Sequence, residues 1–526
     1  MKNNTHSNNL QPGKPSLSVF VALTILIFIF DASGQNPGNL DPTFNGSGRR
    51  ITDVGGQVDG AWGIASQPDG KNIAVGSGNG SNITMIRYNS NGSLDETFGT
   101  NGIVNHNVGA GGMEIALQPD GKILVGTGVY SALYNADFAV FRFNSNGTID
   151  TTFGINGVAK SGFGYTEENP TGMLLQPDGK IVLAGYARNG DINHDICIAR
   201  FDSNGTLDPT FDGDGKVITD VFGESTVDII EGVAIQPDGK LVVAGGRNTS
   251  STFRNAMVVR YNTDGSLDAS FDGDGILFYN FITGNNDQAT DVAVQSDGKI
   301  IIGTQTATDF FNFYLTLARF NPNGTLDDSF DGDGIRVTTY QTSATRILLQ
   351  PAGHIVVLGG SSNGGFSLYR FKPDGSNDTI FGNGGARQSV RFGTLTPGRA
   401  MSLQPDGKIV VAGSDRTGNN DNFYTARFTA LEPTAASVSA SGKVLSPTGR
   451  GISGAIVYLT DQNGETRTAR TNAFGYYHFA DLSAGETFVF NVFSKRYNFA
   501  PRVLTINEET SELNFTANDS TNKGEF

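Results

Sequence analysis

Paired aspartates are the first residues in this 526-residue chain whose type and spacing could support chemistry. Phe-Asp-Gly-Asp-Gly occurs three times, and oxygen-rich turns of this kind can hold calcium. The four other copies of the segment have Asn, Ser or Gly at the two Asp positions and cannot supply two carboxylates. We therefore favour ordinary turn chemistry over calcium and expect no other cofactor. The candidate metal ligands are Asp212, Asp214, Asp272, Asp274, Asp331 and Asp333.

Histidine and cysteine are too scattered along the chain to predict a catalytic cluster. Hydrolytic or metal catalysis needs His, Cys and carboxylates at workable spacing. No His-x-x-x-His, Gly-x-Ser-x-Gly or glycine-rich phosphate loop stands out. Cys197 lies in an apolar run, which predicts a buried packing residue. We predict a protein that is not an enzyme. Its five histidines are His6, His106, His194, His354 and His478.

Aromatic residues in segments of variable length are the candidate ligand-binding residues. Such side chains can stack on sugars or pack against a protein partner. The alternative is that they fill the centre of the fold or pack between its sheets. They are Tyr130, Tyr134, Tyr186, Phe253, Phe310 and Phe311.

Composition and charge indicate the fold class and exclude one class of partner. The formal net charge of −15 and the pI near 4.8 argue against nucleic acid, whose binding depends on Lys and Arg. Seventy glycines, with 17% charged and 37% hydrophobic residues, are typical of short strands joined by tight turns. We predict an all-β protein.

The N-terminus has the three regions of a secretory signal peptide. Lys2 and Lys14 precede an apolar run from Leu17 to Phe30, and cleavage after Gly34 satisfies the small-residue rule. We predict a signal peptide over residues 1–34 of a bacterial protein that is secreted or held at the cell surface. The alternative is a retained anchor. No later segment is long and apolar enough to span a membrane.

Three sequence motifs recur seven times each, with the same period along the chain. The first is Gln-Pro-Asp-Gly-Lys or a variant, at intervals of 51 to 60 residues. The second is an Arg-aromatic pair, and the third is Leu-Asp-x-Thr/Ser-Phe or a variant. Internal periods of this length are typical of propellers and other repeat folds. The Gln of the first motif is at Gln67, Gln118, Gln176, Gln236, Gln295, Gln350 and Gln404.

Each repeat predicts four strands. In the unit that opens at Leu207 they are 216–221, 232–236, 241–245 and 257–261, and Gln-Pro-Asp-Gly forms a tight turn between the second and third. The third strand is apolar on both faces in every copy, so both of its faces must be covered. We predict a seven-bladed β-propeller of four-stranded blades over residues 39–433.

One segment near the start of the repeats could close the ring. Leu40-Asp41-Pro42-Thr43-Phe44 copies the segment that follows each Arg-aromatic pair, but it precedes the first repeat. The last pair, Arg427-Phe428, lacks such a segment after it. We expect the first segment to complete the last blade. The alternative is an open stack of β-meanders, which would leave exposed strand edges.

The two ends of the blades differ in regularity. The Gln-Pro-Asp-Gly turn and the connection after the Arg-aromatic pair lie on one face, and both are nearly invariant within the chain. The loops on the opposite face vary, and they carry the candidate aromatic residues. We expect the variable face to be the working surface.

These motifs resemble the delta-60 repeat of secreted and surface bacterial proteins. The resemblance rests on Leu-Asp-x-Thr-Phe, on Gln-Pro-Asp-Gly-Lys followed by Ile-Val-Val-Ala-Gly, and on Arg-Phe-Asn-x-x-Gly-Thr-Leu-Asp, and it covers about 395 residues. It implies a propeller-like fold and no catalytic residue or ligand.

A second module follows a linker at residues 434–437. Alternating apolar residues and turns from Ser441 onward predict a small Ig-like or prealbumin-like sandwich of seven strands over residues 438–518, before a disordered tail at 519–526. Gly442-x-Val444, Gly454-Ala455-x-Val457-x-Leu459 and Thr471-Asn472-x-x-Gly475 resemble the carboxypeptidase regulatory-like domain. The resemblance implies a carbohydrate-binding-like fold without peptidase chemistry.

Three functions remain open on the sequence. The first is a secreted or surface interaction module, of adhesion type, with an extracellular protein or glycan as partner. The second is carbohydrate binding through the sandwich or the variable propeller face. The third is a propeller hydrolase or lyase, which acids and histidines lining the central channel would favour.

Overall fold

The computed structural model describes residues 37–517, apart from 56–58, 79–81, 133–134, 190–192, 222, 224–226, 249–253, 282–286, 308–312, 361–363, 383–387, 391–396, 418–419, 430–436, 461–465, 484–485 and 507–509. Every regular element in these residues is a β-strand, which confirms the all-β prediction. The predicted signal peptide, most of the linker and the predicted tail lie outside the described residues.

The first half of the repeat region contains seventeen strands. They are β1 (Arg49–Thr52), β2 (Gly60–Ser66), β3 (Asn72–Gly78), β4 (Asn82–Tyr88), β5 (Ile103–Asn107), β6 (Glu114–Leu117), β7 (Ile123–Ala132), β8 (Asn135–Phe143), β9 (Val158–Ser161), β10 (Thr166–Leu175), β11 (Ile181–Asn189), β12 (Asn193–Phe201), β13 (Lys216–Thr219), β14 (Asp228–Ile235), β15 (Leu241–Asn248), β16 (Arg254–Tyr261) and β17 (Ile276–Tyr279).

The remaining strands complete the repeats and the C-terminal module. They are β18 (Asp287–Val294), β19 (Ile300–Ala307), β20 (Phe313–Phe320), β21 (Ile335–Val337), β22 (Ala344–Leu349), β23 (Ile355–Gly360), β24 (Phe366–Phe371), β25 (Gln388–Val390), β26 (Gly398–Leu403), β27 (Ile409–Thr417), β28 (Asn420–Phe428), β29 (Ser437–Leu445), β30 (Ile456–Thr460), β31 (Thr466–Arg470), β32 (Tyr476–Ser483), β33 (Glu486–Phe493), β34 (Arg502–Ile506) and β35 (Phe515–Thr516).

Seven antiparallel sheets of four strands form the propeller. Sheets one to six are β2–β5, β6–β9, β10–β13, β14–β17, β18–β21 and β22–β25, each in sequence order, and sheet seven is β26-β27-β28-β1. The second strand of each sheet is apolar on both faces and buried, as Ile181, Val182 and Leu183 of β11 show. This burial confirms that neighbouring sheets cover both faces of each blade.

Every sheet packs between two others. Seven hydrophobic clusters each combine residues of two neighbouring sheets, and one of them joins Ile86 and Tyr88 of sheet one to Val410 and Phe423 of sheet seven. The first strand of each sheet also contacts the first strands of both neighbouring sheets. These seven strands therefore surround a common space, which we call the central channel.

The N-terminal segment completes the last sheet, as its sequence predicts. β1 pairs with β28 in antiparallel register from Arg49 opposite Ala426 to Thr52 opposite Phe423. Leu40 forms a bridge with Phe428, the same contact that Leu207 makes with Phe201 in sheet three. The edge of β28 is thereby paired instead of being exposed.

The repeat unit defined from the sequence and the observed four-stranded sheet begin at different strands, one strand apart. Reading a unit from Leu207 predicts that 216–221 and the three strands after it form one blade. This grouping is wrong, because β13 pairs with β12 of the preceding sheet. The segment between β12 and β13 folds back on the same sheet, where Leu207 bridges Phe201 and the N–H of Arg200 donates to the carbonyl of Gly215, so β13 lies beside β12.

The predicted tight turns form because glycine supplies a left-handed residue. In the Gln-Pro-Asp-Gly turns, the seven glycines have φ between +80° and +87°. Gly239, for example, donates its N–H to the carbonyl of Gln236 at 2.9 Å. An L-residue with a side chain is strained at this φ, so the turn requires glycine.

The C-terminal module is a sandwich of seven strands, as predicted. One sheet has the order β31-β30-β33-β34 and the other β32-β29-β35, in which β29 and β35 are parallel. Its core packs Phe479, Phe490 and Phe515 together, and the hydroxyl of Tyr477 donates to the carbonyl of Leu513 at 2.6 Å. The first strand of the module begins at Ser437.

No helix suited to crossing a membrane is found among the described residues.

Candidate functional site

The most regular charged residues of the repeat form a bracket of Arg, Asp and Phe in every sheet. Arg Nε lies 2.5–2.8 Å from Asp Oδ2, and the guanidinium lies 4.4–5.0 Å from the centre of a Phe ring. All of these Arg and Asp side chains are buried. The brackets are Arg87–Asp95–Phe98, Arg142–Asp150–Phe153, Arg200–Asp208–Phe211, Arg260–Asp268–Phe271, Arg319–Asp327–Phe330, Arg370–Asp378–Phe381 and Arg427–Asp41–Phe44.

The brackets also tie neighbouring sheets together. Arg200 Nη1 donates to the carbonyl of Thr263 in the next sheet at 2.6 Å. Lys180, from the Gln-Pro-Asp-Gly-Lys turn, places Nζ 3.3 Å from Asp208 Oδ2. In sheet six, His354 takes the place of the lysine, with Nε2 3.9 Å from the bracket aspartate.

The charge of the bracket aspartate is stabilised in the fold. Burial by itself raises the pKa of Asp208, but hydrogen bonds from Thr210 and the charges of Arg200 and Lys180 hold that pKa at about 2. The bracket therefore stabilises the propeller and uses its charged groups internally.

The channel is lined by a different set of residues. Register shifts occur between Ala61 and Gly63 in β2 and at the matching place in β10, β14, β18, β22 and β26. Such a bulge leaves one residue unpaired and re-aims its side chain. The bulged residues lie five positions before the Gln of the repeat motif, and they are Trp62, Thr171, Glu231, Thr290, Thr345 and Arg399.

The position four residues before the same Gln carries three further charges of the channel. It is Gly or Ala in four sheets, and it is Glu114, Asp291 and Arg346 in sheets two, five and six. Arg346 Nη2 donates to Glu114 Oε1 at 3.1 Å. Sheets two and six are not neighbours, so this ion pair spans the channel. Small residues leave room for the charged ones, since a Cβ on Gly232 would lie 2.8 Å from Asp291 Oδ1.

Two further carboxylates, those of Asp291 and Glu231, lie near Arg346. Asp291 Oδ2 accepts a hydrogen bond from the backbone N–H of Ile347 at 2.6 Å. Glu231 Oε1 accepts one from Gln288 Nε2 at 3.0 Å. Three carboxylates from sheets two, four and five therefore act on the single guanidinium of Arg346.

Burial dominates the protonation of these acids. It raises the pKa of Glu114 to about 7, because the Arg346 charge, which lowers it, is opposed by the charge of Asp291. Burial also raises the pKa of Asp291. For Arg346, the three carboxylates outweigh the effect of burial and raise the pKa. Glu114 is thus a carboxyl that changes charge near neutral pH.

An aromatic side chain of sheet one and a thioether side chain directly before β6 of sheet two add apolar surface. Trp62, the single tryptophan of the chain, is 39% exposed, and Met113 in the next sheet is 37% exposed. The guanidinium of Arg399 lies 3.6 Å from the centre of the Trp62 ring. The channel therefore combines an apolar surface with hydrogen-bonding and charged groups, which is the usual make-up of a ligand site.

The predicted aromatic residues are only partly described. Tyr130 is 66% exposed at the end of β7, and Tyr186 is half-buried on β11 beside His194, with ring centres 5.7 Å apart. Their role in ligand binding stays a prediction. The other four, Tyr134, Phe253, Phe310 and Phe311, lie outside the described residues.

The predicted calcium ligands take part in turn hydrogen bonds. Asp214, Asp274 and Asp333 each accept a hydrogen bond at 2.9 Å from the backbone N–H two residues later. Asp212, Asp272 and Asp331 have φ between +50° and +52°, the left-handed region that Asn45 adopts at this position in sheet seven and that Gly99 and Gly154 adopt in sheets one and two. The described residues contain no group of three or more His, Cys, Asp or Glu side chains that could hold a metal ion. Ordinary turn chemistry at these aspartates, which the sequence favours over calcium, stays a prediction.

Cys197 is buried, as predicted, and burial raises the pKa of its thiol.

Sequence reasoning missed the channel residues, although a signal for them was present. The position four residues before the motif is small in most repeats and charged in three. A charged residue that replaces glycine in one copy of a repeat indicates a local role. That Glu114 and Arg346 meet could not be inferred, because 232 positions separate them.

Family comparisons match both parts of the chain. The domain of unknown function (DUF5122) beta-propeller matches residues 67–98, 118–153, 176–211, 236–271, 295–330 and 404–430. The carboxypeptidase regulatory-like domain matches residues 439–518. These matches confirm the predicted propeller repeat and the predicted C-terminal domain. The copy at Gln350 lies outside the six matched segments and still forms a sheet.

Solved structures resemble the chain only distantly. A protein of unknown function from Dyadobacter fermentans has 11% identity and a TM-score of 0.40, over 73% of this chain and 100% of its own. PorZ, a surface component of the type-IX secretion system of Porphyromonas gingivalis, has 12% identity and a TM-score of 0.38, over 85% of this chain and 59% of its own. A polysaccharide lyase described as a PL25 ulvan lyase has 12% identity and a TM-score of 0.42, over 71% and 95%. No activity or residue role is transferred from them.

No curated protein matches the chain significantly.

Proposed function

We propose that this chain, which carries DUF5122 β-propeller repeats followed by a carboxypeptidase regulatory-like domain, is a non-enzymatic binding module that works outside the cell or at the bacterial surface. The pairing of these two domain types suggests a surface module. The predicted signal peptide agrees with this location.

The single observation that supports a channel site is the ion pair between Glu114 and Arg346. The two side chains are partly withdrawn from water, and ion pairs of this kind contribute little net stability. The charged bracket residues join adjacent sheets, but this pair joins sheets that do not pack together. Its position therefore favours recognition over folding.

A glycan is the ligand class that the channel suits best. A sugar ring has an apolar face that can pack on Trp62 and Met113, and it has hydroxyl groups that can bond to Glu231, Asp291 and Arg346. Both kinds of group lie on the channel wall.

A glycan array probed with the chain from residue 35 onward tests this proposal. We expect wild-type protein to retain at least one class of glycan and Trp62→Ala to lose it, because the variant removes the aromatic surface. Tyr130→Ala on the variable face and Tyr476→Ala on the sandwich are the matched controls, and both should bind normally. Binding that depends on Tyr476 or Tyr130 and not on Trp62 would exclude the channel as the site. A wild-type protein that retains no glycan would contradict the ligand class.

A propeller lyase or hydrolase is a second candidate, favoured by Glu114. A carboxyl with a pKa of about 7 can donate or accept a proton at neutral pH. Any glycan retained on the array can be incubated with wild-type protein and with Glu114→Gln. If the wild-type protein shortens the glycan and Glu114→Gln does not, the proposed function is enzymatic.

A further inference from the structure

We propose that the ion pair between Glu114 and Arg346 is a latch that bars the channel and opens when Glu114 takes up a proton. The latch would regulate the ligand site of the proposed function, and its biological role rests on that function. The opening itself is a property of the propeller and can be tested without a ligand.

The geometry makes this contact a barrier. Glu114 extends from β6 and Arg346 from β22, and their side chains meet with Nη2 and Oε1 3.1 Å apart. The two sheets are separated by sheets seven and one on one side of the ring and by sheets three to five on the other. A contact between them therefore divides the channel, and the side chains are about a quarter exposed, at 29% for Arg346 and 23% for Glu114.

The charges around the latch decide which way it opens. Arg346 and Asp291 are the charged groups that act on Glu114, and Glu114, Asp291 and Glu231 act on Arg346. Asp291 belongs to sheet five, next to the sheet of Arg346, and Glu231 belongs to sheet four, midway between the sheets of Glu114 and Arg346. When Glu114 is neutral, these two carboxylates still attract the guanidinium. Arg346 is then drawn toward sheets five and four, away from sheet two, and the contact with Glu114 is lost.

The pH range of opening follows from the environment of Glu114. Because burial raises the pKa of Glu114 to about 7, the carboxyl is charged above that pH and protonated below it. The latch is therefore closed in mildly alkaline solution and open in mildly acidic solution.

Trp62 supplies an internal probe of the channel. It is the single tryptophan of the chain, and it lies in sheet one, beside the sheet that carries Glu114. Quenching of its fluorescence by acrylamide, a neutral molecule, measures access to the channel wall. We expect the quenching constant of the full-length protein to rise as the pH falls, with a midpoint near the Glu114 pKa of about 7.

Matched variants identify the group responsible. Glu114→Gln removes the charge at nearly constant size, so its quenching should be high at every pH and should lose the transition. Arg346→Met removes the partner and should give the same result. Glu167→Gln neutralises an acid that pairs with Arg188 on the variable face, and it should retain the wild-type profile.

The outcomes separate the latch from the proposed function. A flat wild-type profile, or a pH transition that persists in both Glu114→Gln and Arg346→Met, would overturn the latch. Circular dichroism of each variant identifies a folding failure, and the two substitutions at different sites provide independent tests. Since no glycan is present in this assay, the latch can be refuted while the array still shows glycan binding, and the converse also holds.

Discussion

The ion pairs of this protein are of two kinds, which differ in whether the paired residues belong to neighbouring or to distant repeats. Bracket pairs such as Arg200 and Asp208 are buried and recur in every sheet, and all of them except Arg427 and Asp41 are close in sequence. Glu114 and Arg346 occur once, come from distant repeats and remain partly exposed to the channel. The first kind stabilises the fold, and the second kind can change with pH without loss of the fold.

Breaking one bracket should destabilise the propeller in a pH-dependent way. Asp208→Asn leaves Arg200 buried without its anion, which costs about 3 kcal/mol at neutral pH. The pKa of Asp208 is about 2, below its ordinary value of 3.8, so the charged form is stabilised in the fold. That stabilisation is present above the ordinary value and is lost as the pH falls through the folded pKa.

Urea denaturation of the wild type and Asp208→Asn at pH 7 and pH 2 measures this effect. The difference in free energy of unfolding should shrink at the lower pH. Asp178→Asn, in which an exposed carboxylate near Lys180 is removed, is the control and should change little. Equal losses from Asp208→Asn at both pH values would contradict the assignment.

Glu114 should show the opposite pH dependence. Its folded pKa of about 7 lies above the ordinary value of 4.5, so the charged form is disfavoured in the fold. The wild type therefore gains stability from this group as the pH falls from 7 toward 4.5. Thermal melts across this range should show that gain relative to Glu114→Gln, and a constant difference between the two proteins would refute it.

At the level of elements, a single strand joins the two ends of the propeller. β1 pairs with β28, and Arg427 Nε lies 2.8 Å from Asp41 Oδ2 across 386 positions of sequence. Among the described residues, the other sheets take all four strands from one stretch of chain, whereas sheet seven takes its last strand from the start of the repeat region.

Removal of residues 37–52 should therefore expose the edge of β28. We expect a lower melting temperature and concentration-dependent aggregation, because an unpaired edge can pair with another chain. Light scattering during a thermal melt measures both. The control is Asp53→Asn, which alters an exposed bend next to β1 and keeps the strand. A truncated protein that melts and scatters like the wild type would show that β1 does not hold the ring together.

At the level of the whole molecule, the propeller and the sandwich have separate hydrophobic cores. Within the part of the chain that the structure describes, the seven clusters of the ring contain no residue of the C-terminal module, and the cluster of the sandwich contains none from the ring. Each domain can therefore lose stability without a direct loss of packing in the other.

Calorimetry of the full chain should show this independence. Phe490→Ala opens a cavity in the sandwich core and should cost that domain about 3–5 kcal/mol. We expect one transition to move to lower temperature and the larger one, from the propeller, to stay in place. Movement of both transitions together would indicate that the domains unfold as one unit.

The sequence alone determined the parts of the structure that depend on local pattern. Recurrent turn residues predicted the tight turns, apolar runs predicted strands buried on both faces, and the count of seven motifs predicted the number of blades. The segment from Leu40 to Phe44 even predicted how the last blade is completed, because it repeats a pattern whose partner is missing elsewhere.

Only the tertiary structure decided which strands share a sheet and which side chains meet in the channel. The sequence of a repeat does not show which of its strands is the first strand of a sheet. The hydrogen bonds between β12 and β13 show that β13 is the last strand of its sheet. Glu114 and Arg346 lie 232 positions apart, and nothing local in the sequence relates them. Closure of the ring brings them within 3.1 Å of each other, so the site depends on the geometry of all seven blades.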